Sequence, residues 1–194
     1  MEKQLEDLKA IREMMEKSSK FLSLSGLAGV SAGVTAIAGA AIAYFYILKE
    51  CTDNLKILLL ADALIVLAVS ICFGFYFSWI KAHKSNQKLF TKVALKSLYN
   101  LGLPLIVGGI VSLILIYRDQ TEMVAAITLI FYGLALVNVS KFTYNEIHYL
   151  GIIEIVLGIA AALFLYYGII FWTIGFGVCH IFYGIIMYKK YDLK

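Results

Sequence analysis

The sequence predicts an all-α polytopic membrane protein: six transmembrane helices arranged as three hairpin repeats, with an amphipathic helix in front of them. Three observations predict it. Of the 194 residues, 61% are hydrophobic and only 15% are charged, and the mean hydropathy is +0.84. A water-soluble domain of this size carries about a quarter charged residues. The apolar residues fall into six runs, at 21–48, 56–80, 98–117, 123–140, 146–167 and 168–188, each near the ~20 residues that a spanning helix needs. The runs are continuously apolar, without the two-residue alternation of a membrane barrel strand.

Residues 1–20 form a separate element. Leu5, Leu8, Ile11 and Met15 recur at helical spacing, and Glu13 with Lys17 and Glu16 with Lys20 make favourable pairs four residues apart. This predicts a helix lying on the cytoplasmic leaflet, or one that docks a protein partner. The first run carries Gly29-x-x-x-Gly33 followed by Ala36 and Ala40, a small-residue stripe that lets another helix approach closely. The second run contains Asp62, six residues beyond Lys56, which is its expected partner, and Ser70. Lys81, Lys84, Lys88, Lys92 and Lys96 then follow without an acidic residue. They read as a topology determinant at the inner leaflet, or else as a partner site. Pro104 is expected in the first turn of the third helix, where proline is tolerated. The fourth run is the shortest and carries Asn138 near its end.

Lysine and arginine concentrate on alternate loops. Lys3, Lys9, Arg12, Lys17 and Lys20, the lysine loop, Lys141 and the tail lysines fall on one side, against Lys49, Lys56 and Arg118 on the other. The positive-inside rule then places both termini in the cytoplasm. The net charge of +4 is a topology signal and a match to anionic headgroups, and nucleic acid is not an expected partner. The charged first twenty residues lack the short apolar core of a cleavable signal peptide. Cys51, Cys72 and Cys179 have no metal-binding or redox spacing.

The last four runs read as two copies of one hairpin. Gly102 and Gly109 in the third run match Gly151 and Gly158 in the fifth, and Tyr132-Gly133 matches Tyr183-Gly184. The first two runs fit more loosely, with Gly26, Gly33 and Gly74 at the corresponding positions. Gly158-x-x-x-Ala162, Gly177 and Gly184 belong to the same packing faces.

The repeat isolates the residues that break it. Glu154 and His180 each lie between two glycines, equidistant in sequence from Tyr167, where the fifth and sixth runs join. Antiparallel helices would bring them to one depth. The corresponding residues are Leu105 and Leu129 in the middle hairpin, and Gly29 and Ser70 in the first. An acid facing a base inside lipid is costly and marks a candidate functional site. The pair suits a proton relay, a cation site or a structural interhelical bond. Thr173, seven residues before His180, is expected on the same face. His83 and His148 lie near run ends, so a haem held by two histidines is not expected. There is no HExxH, GxSxG or phosphate-loop motif, and neither enzyme chemistry nor a metal or cofactor is expected. Tyr46, Trp79, Tyr117 and Tyr188 fall at run ends, as an interfacial aromatic belt does.

The stretch Ile11–Gly26 and the ending Gly175–Gly184 resemble a group of uncharacterised bacterial membrane proteins seen mainly in Bacteroidota. The hairpin architecture and glycine spacing bear a looser resemblance to the HdeD-type acid-resistance membrane proteins. The resemblance implies a bacterial inner membrane location and transfers no site residues. Two functional expectations follow. One is a small transporter, channel or proton-responsive protein centred on Glu154 and His180. The other is a non-transporting scaffold or sensor that docks a cytoplasmic partner through residues 1–20 and the lysine loop. A homo-oligomer packed through Gly29 and Gly33 is compatible with either.

Overall fold

A computed structural model describes residues 24–48, 54–85 and 91–193. The expected helix over 1–20, Cys51 and the middle of the lysine loop lie outside the described residues. Among the described residues six helices are long and apolar enough to cross a membrane. They are α1 (Gly26–Ile42, prolonged by a π-helical turn, Ala43–Leu48), α2 (Leu55–Lys84), α3 (Lys92–Tyr117), α4 (Val124–Val139), α5 (Asn145–Leu163) and α6. The last runs over Leu165–Asp192 and is composite. It passes from α-helix at Gly168–Trp172 through a π-helical segment, Thr173–Cys179, to α-helix again at His180–Met187. The described residues are all-α, and the helices have the length and composition of an integral membrane protein.

The distribution of side chains suits lipid. Large apolar residues such as Leu64, Ile65, Phe75, Ile106 and Ile110 face outward, while the buried set is rich in small residues, among them Ala36, Ala40, Ala126, Ala135 and Ala161. Lipid offers no hydrophobic drive to bring helices together, so close backbone contact must do so. In packing order α2 lies on α1, α1 on α6, α6 on α4 and α5, and α4 on both α5 and α3.

Two of these junctions have glycine on both helices. Between α4 and α5, a Cβ on Gly133 would stand 2.6 Å from the Gly151 carbonyl, and one on Gly158 would stand 2.6 Å from the Ile130 side chain. Between α6 and α1, a Cβ on Gly184 would stand 2.6 Å from the Gly26 carbonyl, and one on Gly33 would stand 2.6 Å from the Gly177 carbonyl. Gly29 lies against Gly184, and Gly177 against Ile37. The Gly29–Gly33 stripe is therefore used within the chain, between α1 and α6, and is closed to a second copy.

Helix ends and one interior break follow local chemistry. Ser25 caps α1, accepting from the Leu27 amide at 3.3 Å; Thr91 caps α3, accepting from the Ala94 amide at 3.0 Å. Helix α3 begins at Lys92, several residues before the apolar run, because lysine stems line a helix while their ammonium groups stay in water. Pro104 therefore lies inside α3 and not in its first turn. Proline has no N–H for the carbonyl four residues earlier, which belongs to Asn100. Asn138 Nδ2 of α4 donates to that carbonyl at 3.1 Å, so the break in one helix becomes a tie to its neighbour. Lys56 pairs with Asp119 and not with Asp62, since six residues turn a helix by more than half a circle. Asp62 lies toward Gly39 of α1.

Candidate functional site

Tyr132, Glu154 and His180 come from three helices and meet at one depth. Glu154 is the middle residue of α5, Tyr132 lies at the middle of α4, and His180 lies close to the middle of the sixth span. The chain supplies no polar side chain at the neighbouring turns of α5, where Ile152, Ile153, Ile155 and Val156 surround the carboxylate in sequence. Glu154 is 0% exposed and His180 is 5% exposed.

The imidazole links the other two groups. His180 Nε2 lies 2.7 Å from the Tyr132 hydroxyl. His180 Nδ1 lies 2.9 Å from the Gly175 carbonyl and 3.3 Å from Glu154 Oε1. A carbonyl only accepts, so the Gly175 contact is a hydrogen bond when Nδ1 carries the proton. With a neutral ring, Nε2 then accepts from the Tyr132 O–H. The Nδ1–H then goes to Gly175, and Glu154 Oε1 lies 3.3 Å from the same nitrogen without a hydrogen bond to it. Neither carboxylate oxygen has a hydrogen-bond partner, and the imidazole stands only at ion-pairing distance from the acid.

Helix α6 is shaped around the carboxylate. Gly175 sits in the π-helical segment, a rare widening of the helix that recurs at functional sites. A Cβ on Gly175 would collide with Glu154 Oε2 and stand 2.6 Å from Leu129 Cδ2. The missing side chain makes room for the acid, and the Gly175 carbonyl helps to orient the ring. Trp172, Phe176 and His180 stack along α6, with ring centroids 4.8 Å and 6.0 Å apart. Tyr132 packs on Phe176 at 4.9 Å. These rings and fully buried Leu129 close the site.

The other sequence candidates lie elsewhere. The Thr173 hydroxyl donates to the Ile169 carbonyl of its own helix at 2.7 Å. It also opens the π-helical segment, so the seven residues to His180 are not two α-helical turns, and the polar track expected from Thr173 is not formed. Asn138 ties α4 to α3 at Pro104, as described. Ser70 is half-buried on α2, which packs along α1. Gly29, Gly33, Gly158, Gly177 and Gly184 all lie at helix crossings. Among the described residues no three of His, Cys, Asp and Glu come together as a metal site would need.

A second polar cluster lies at the end of the bundle where α1 begins and α6 ends. Asp192 Oδ2 accepts from the Ser25 hydroxyl at 2.8 Å and from the Gly26 amide at 2.9 Å, placing a carboxylate on the N-terminus of α1. Lys81 pairs with Asp192 Oδ1 at 2.7 Å and donates to the Leu24 carbonyl at 2.8 Å and to the Tyr144 hydroxyl at 3.2 Å. Burial, and then the Asp192 carboxylate, push the Tyr144 phenol well above its ordinary pKa. Nearby, Glu146 accepts from Tyr191 at 3.0 Å and from Lys190 at 2.5 Å. This cluster locks the ends of α1, α2, α5 and α6 together, and the sequence reading of Lys81 as a loop charge missed it.

No protein-family model, curated protein or solved structure matches the chain.

Proposed function

We propose that this integral membrane protein is proton-responsive, with the Tyr132–His180–Glu154 unit as the group that gains and loses the proton. The observation that carries the reading is the state of Glu154: wholly buried, with neither carboxylate oxygen hydrogen-bonded and His180 Nδ1 3.3 Å from Oε1. The unit has four acceptor positions (Nε2, the Gly175 carbonyl and two carboxylate oxygens) but two donors. One added proton, on Glu154 or on the ring, relieves that imbalance. Its loss leaves a buried anion whose desolvation is costly. Three helices meet at the unit, so their packing and its protonation are coupled. No enzyme chemistry is part of this reading, and a bacterial inner membrane with both termini inside is the setting it assumes.

The closure of the site by Leu129 and the aromatic rings also favours a second reading, a static fastener in a non-transporting scaffold. Proton and cation flux in proteoliposomes separates the two. Wild-type flux that is lost in both Glu154→Gln and His180→Ala would extend proton response to transport. Folded wild-type protein with neither flux nor any pH-dependent change at the unit would leave the fastener.

A further inference from the structure

The two glycine junctions described above are the same junction built twice. In α4–α5, Gly133 meets the Gly151 carbonyl and Ile155, and Gly158 meets Ile130 and the Ala126 carbonyl. In α6–α1, Gly184 meets the Gly26 carbonyl and Val30, and Gly33 meets Ile181 and the Gly177 carbonyl. The spacings agree throughout: the glycine partners stand seven residues apart on one helix, and the β-branched residue follows the first of them by four. The same spacings occur a third time. Helix α2 carries Gly74 with Ile71 before it, and α3 carries Gly102, Ile106 and Gly109. Here no junction is made: a Cβ on Gly74, Gly102 or Gly109 would meet nothing within 4 Å. Ile71 is 61% and Ile106 is 64% exposed, and α2 does not pack along α3.

We propose that these two faces are an interface between copies of this chain, α2 of one copy packing on α3 of a second as α4 packs on α5. Each face has its complement within the chain: in both formed junctions a face like that of α2 packs on a face like that of α3. A twofold axis would satisfy both faces at once, giving a closed dimer in place of an open chain of contacts. Open glycine positions of this kind let backbones approach, and backbone approach is what drives association in lipid. The surface first expected for self-association, Gly29 and Gly33, is already occupied by α6.

The test is energy transfer between donor- and acceptor-labelled full-length chains in liposomes, diluted with lipid. Wild type is expected to associate. Gly74→Leu and Gly102→Leu, each at a position with open space in the single chain, are expected to weaken association about tenfold or more while helical content is kept and the unfolding temperature of the dispersed single chain does not fall. A disulfide test in a background with Cys51, Cys72 and Cys179 replaced identifies the occupant. Cross-linking in a mixture of Gly74→Cys chains with Gly102→Cys chains supports the interface. Absence of energy transfer in wild type, leucine variants that associate normally, or cross-linking confined to a single chain bearing both cysteines would overturn it.

Discussion

His180 stands with Nδ1 3.3 Å from the Glu154 carboxylate while its opposite nitrogen lies 2.7 Å from the Tyr132 hydroxyl. One ring therefore bridges a phenol on α4 and an acid on α5 from its own position on α6. A protonation change at any of the three alters hydrogen bonds that cross two helix interfaces.

Glu154→Gln keeps the shape of the acid and supplies its own N–H donors. The variant is expected to fold, with stability within about 1 kcal/mol of wild type, and to lose any pH dependence that wild type shows between about pH 5 and pH 8. Thermal unfolding in detergent across that range checks both statements.

Tyr132→Phe removes the hydroxyl that serves Nε2 and leaves the ring packing on Phe176. A loss of about 1 kcal/mol is expected, the scale of an interhelical hydrogen bond in a membrane. The ¹⁵N resonances of His180 should report Nδ1–H in wild type, with Nε2 shifting in the variant. An Nε2–H ring in wild type would contradict the hydrogen-bond assignment.

Gly175→Ala and Gly74→Ala are expected to diverge. At Gly175 the new methyl collides with the Glu154 carboxylate, so the protein should be destabilised by about 1–3 kcal/mol, as overpacking generally costs. At Gly74 the space is open, and the single chain should gain roughly 0.5–1 kcal/mol from the better helix former. Unfolding of both variants under dilute conditions makes the comparison.

Asn138 and Pro104 are expected to couple. Asn138→Ala leaves the Asn100 carbonyl without a donor in the wild-type helix. With Pro104→Ala, a backbone N–H can reach that carbonyl. The double-mutant cycle should therefore show a coupling of about 0.5–1.5 kcal/mol, and additivity would argue that the tie carries no energy.

How much of this could be read beforehand varies by residue. The six helices were legible because continuous apolar runs have few other destinations. Glu154 and His180 stood out because each interrupts such a run, and their equal distances from Tyr167 placed them at one depth. Tyr132 did not stand out. Tyrosine is frequent here and usually marks the interface, and the repeat pointed to Leu129, one turn away, as the counterpart of His180. Its position in the middle of an apolar run was the available signal, since a buried phenol needs a partner. Thr173 was misplaced because the π-helical segment shifts the register, and no residue other than the paired glycines Gly175 and Gly177 hints at that segment. The lysine-rich start of α3 looks like a loop in the sequence, which puts Pro104 in the first turn of the apolar run and not in the helix interior, where it lies. The Asp192 cap on Ser25 depends on two residues at opposite ends of the chain, and local pattern does not connect them.

The most direct test of the central claim is infrared difference spectroscopy of the bilayer-embedded protein, stepped between about pH 8 and pH 5. A proton-responsive unit predicts a protonated-carboxyl band that changes with the step in wild type and is absent in Glu154→Gln. A wild-type spectrum with no such change, from protein shown to be folded, would contradict the account and leave the three residues as a fixed brace between helices.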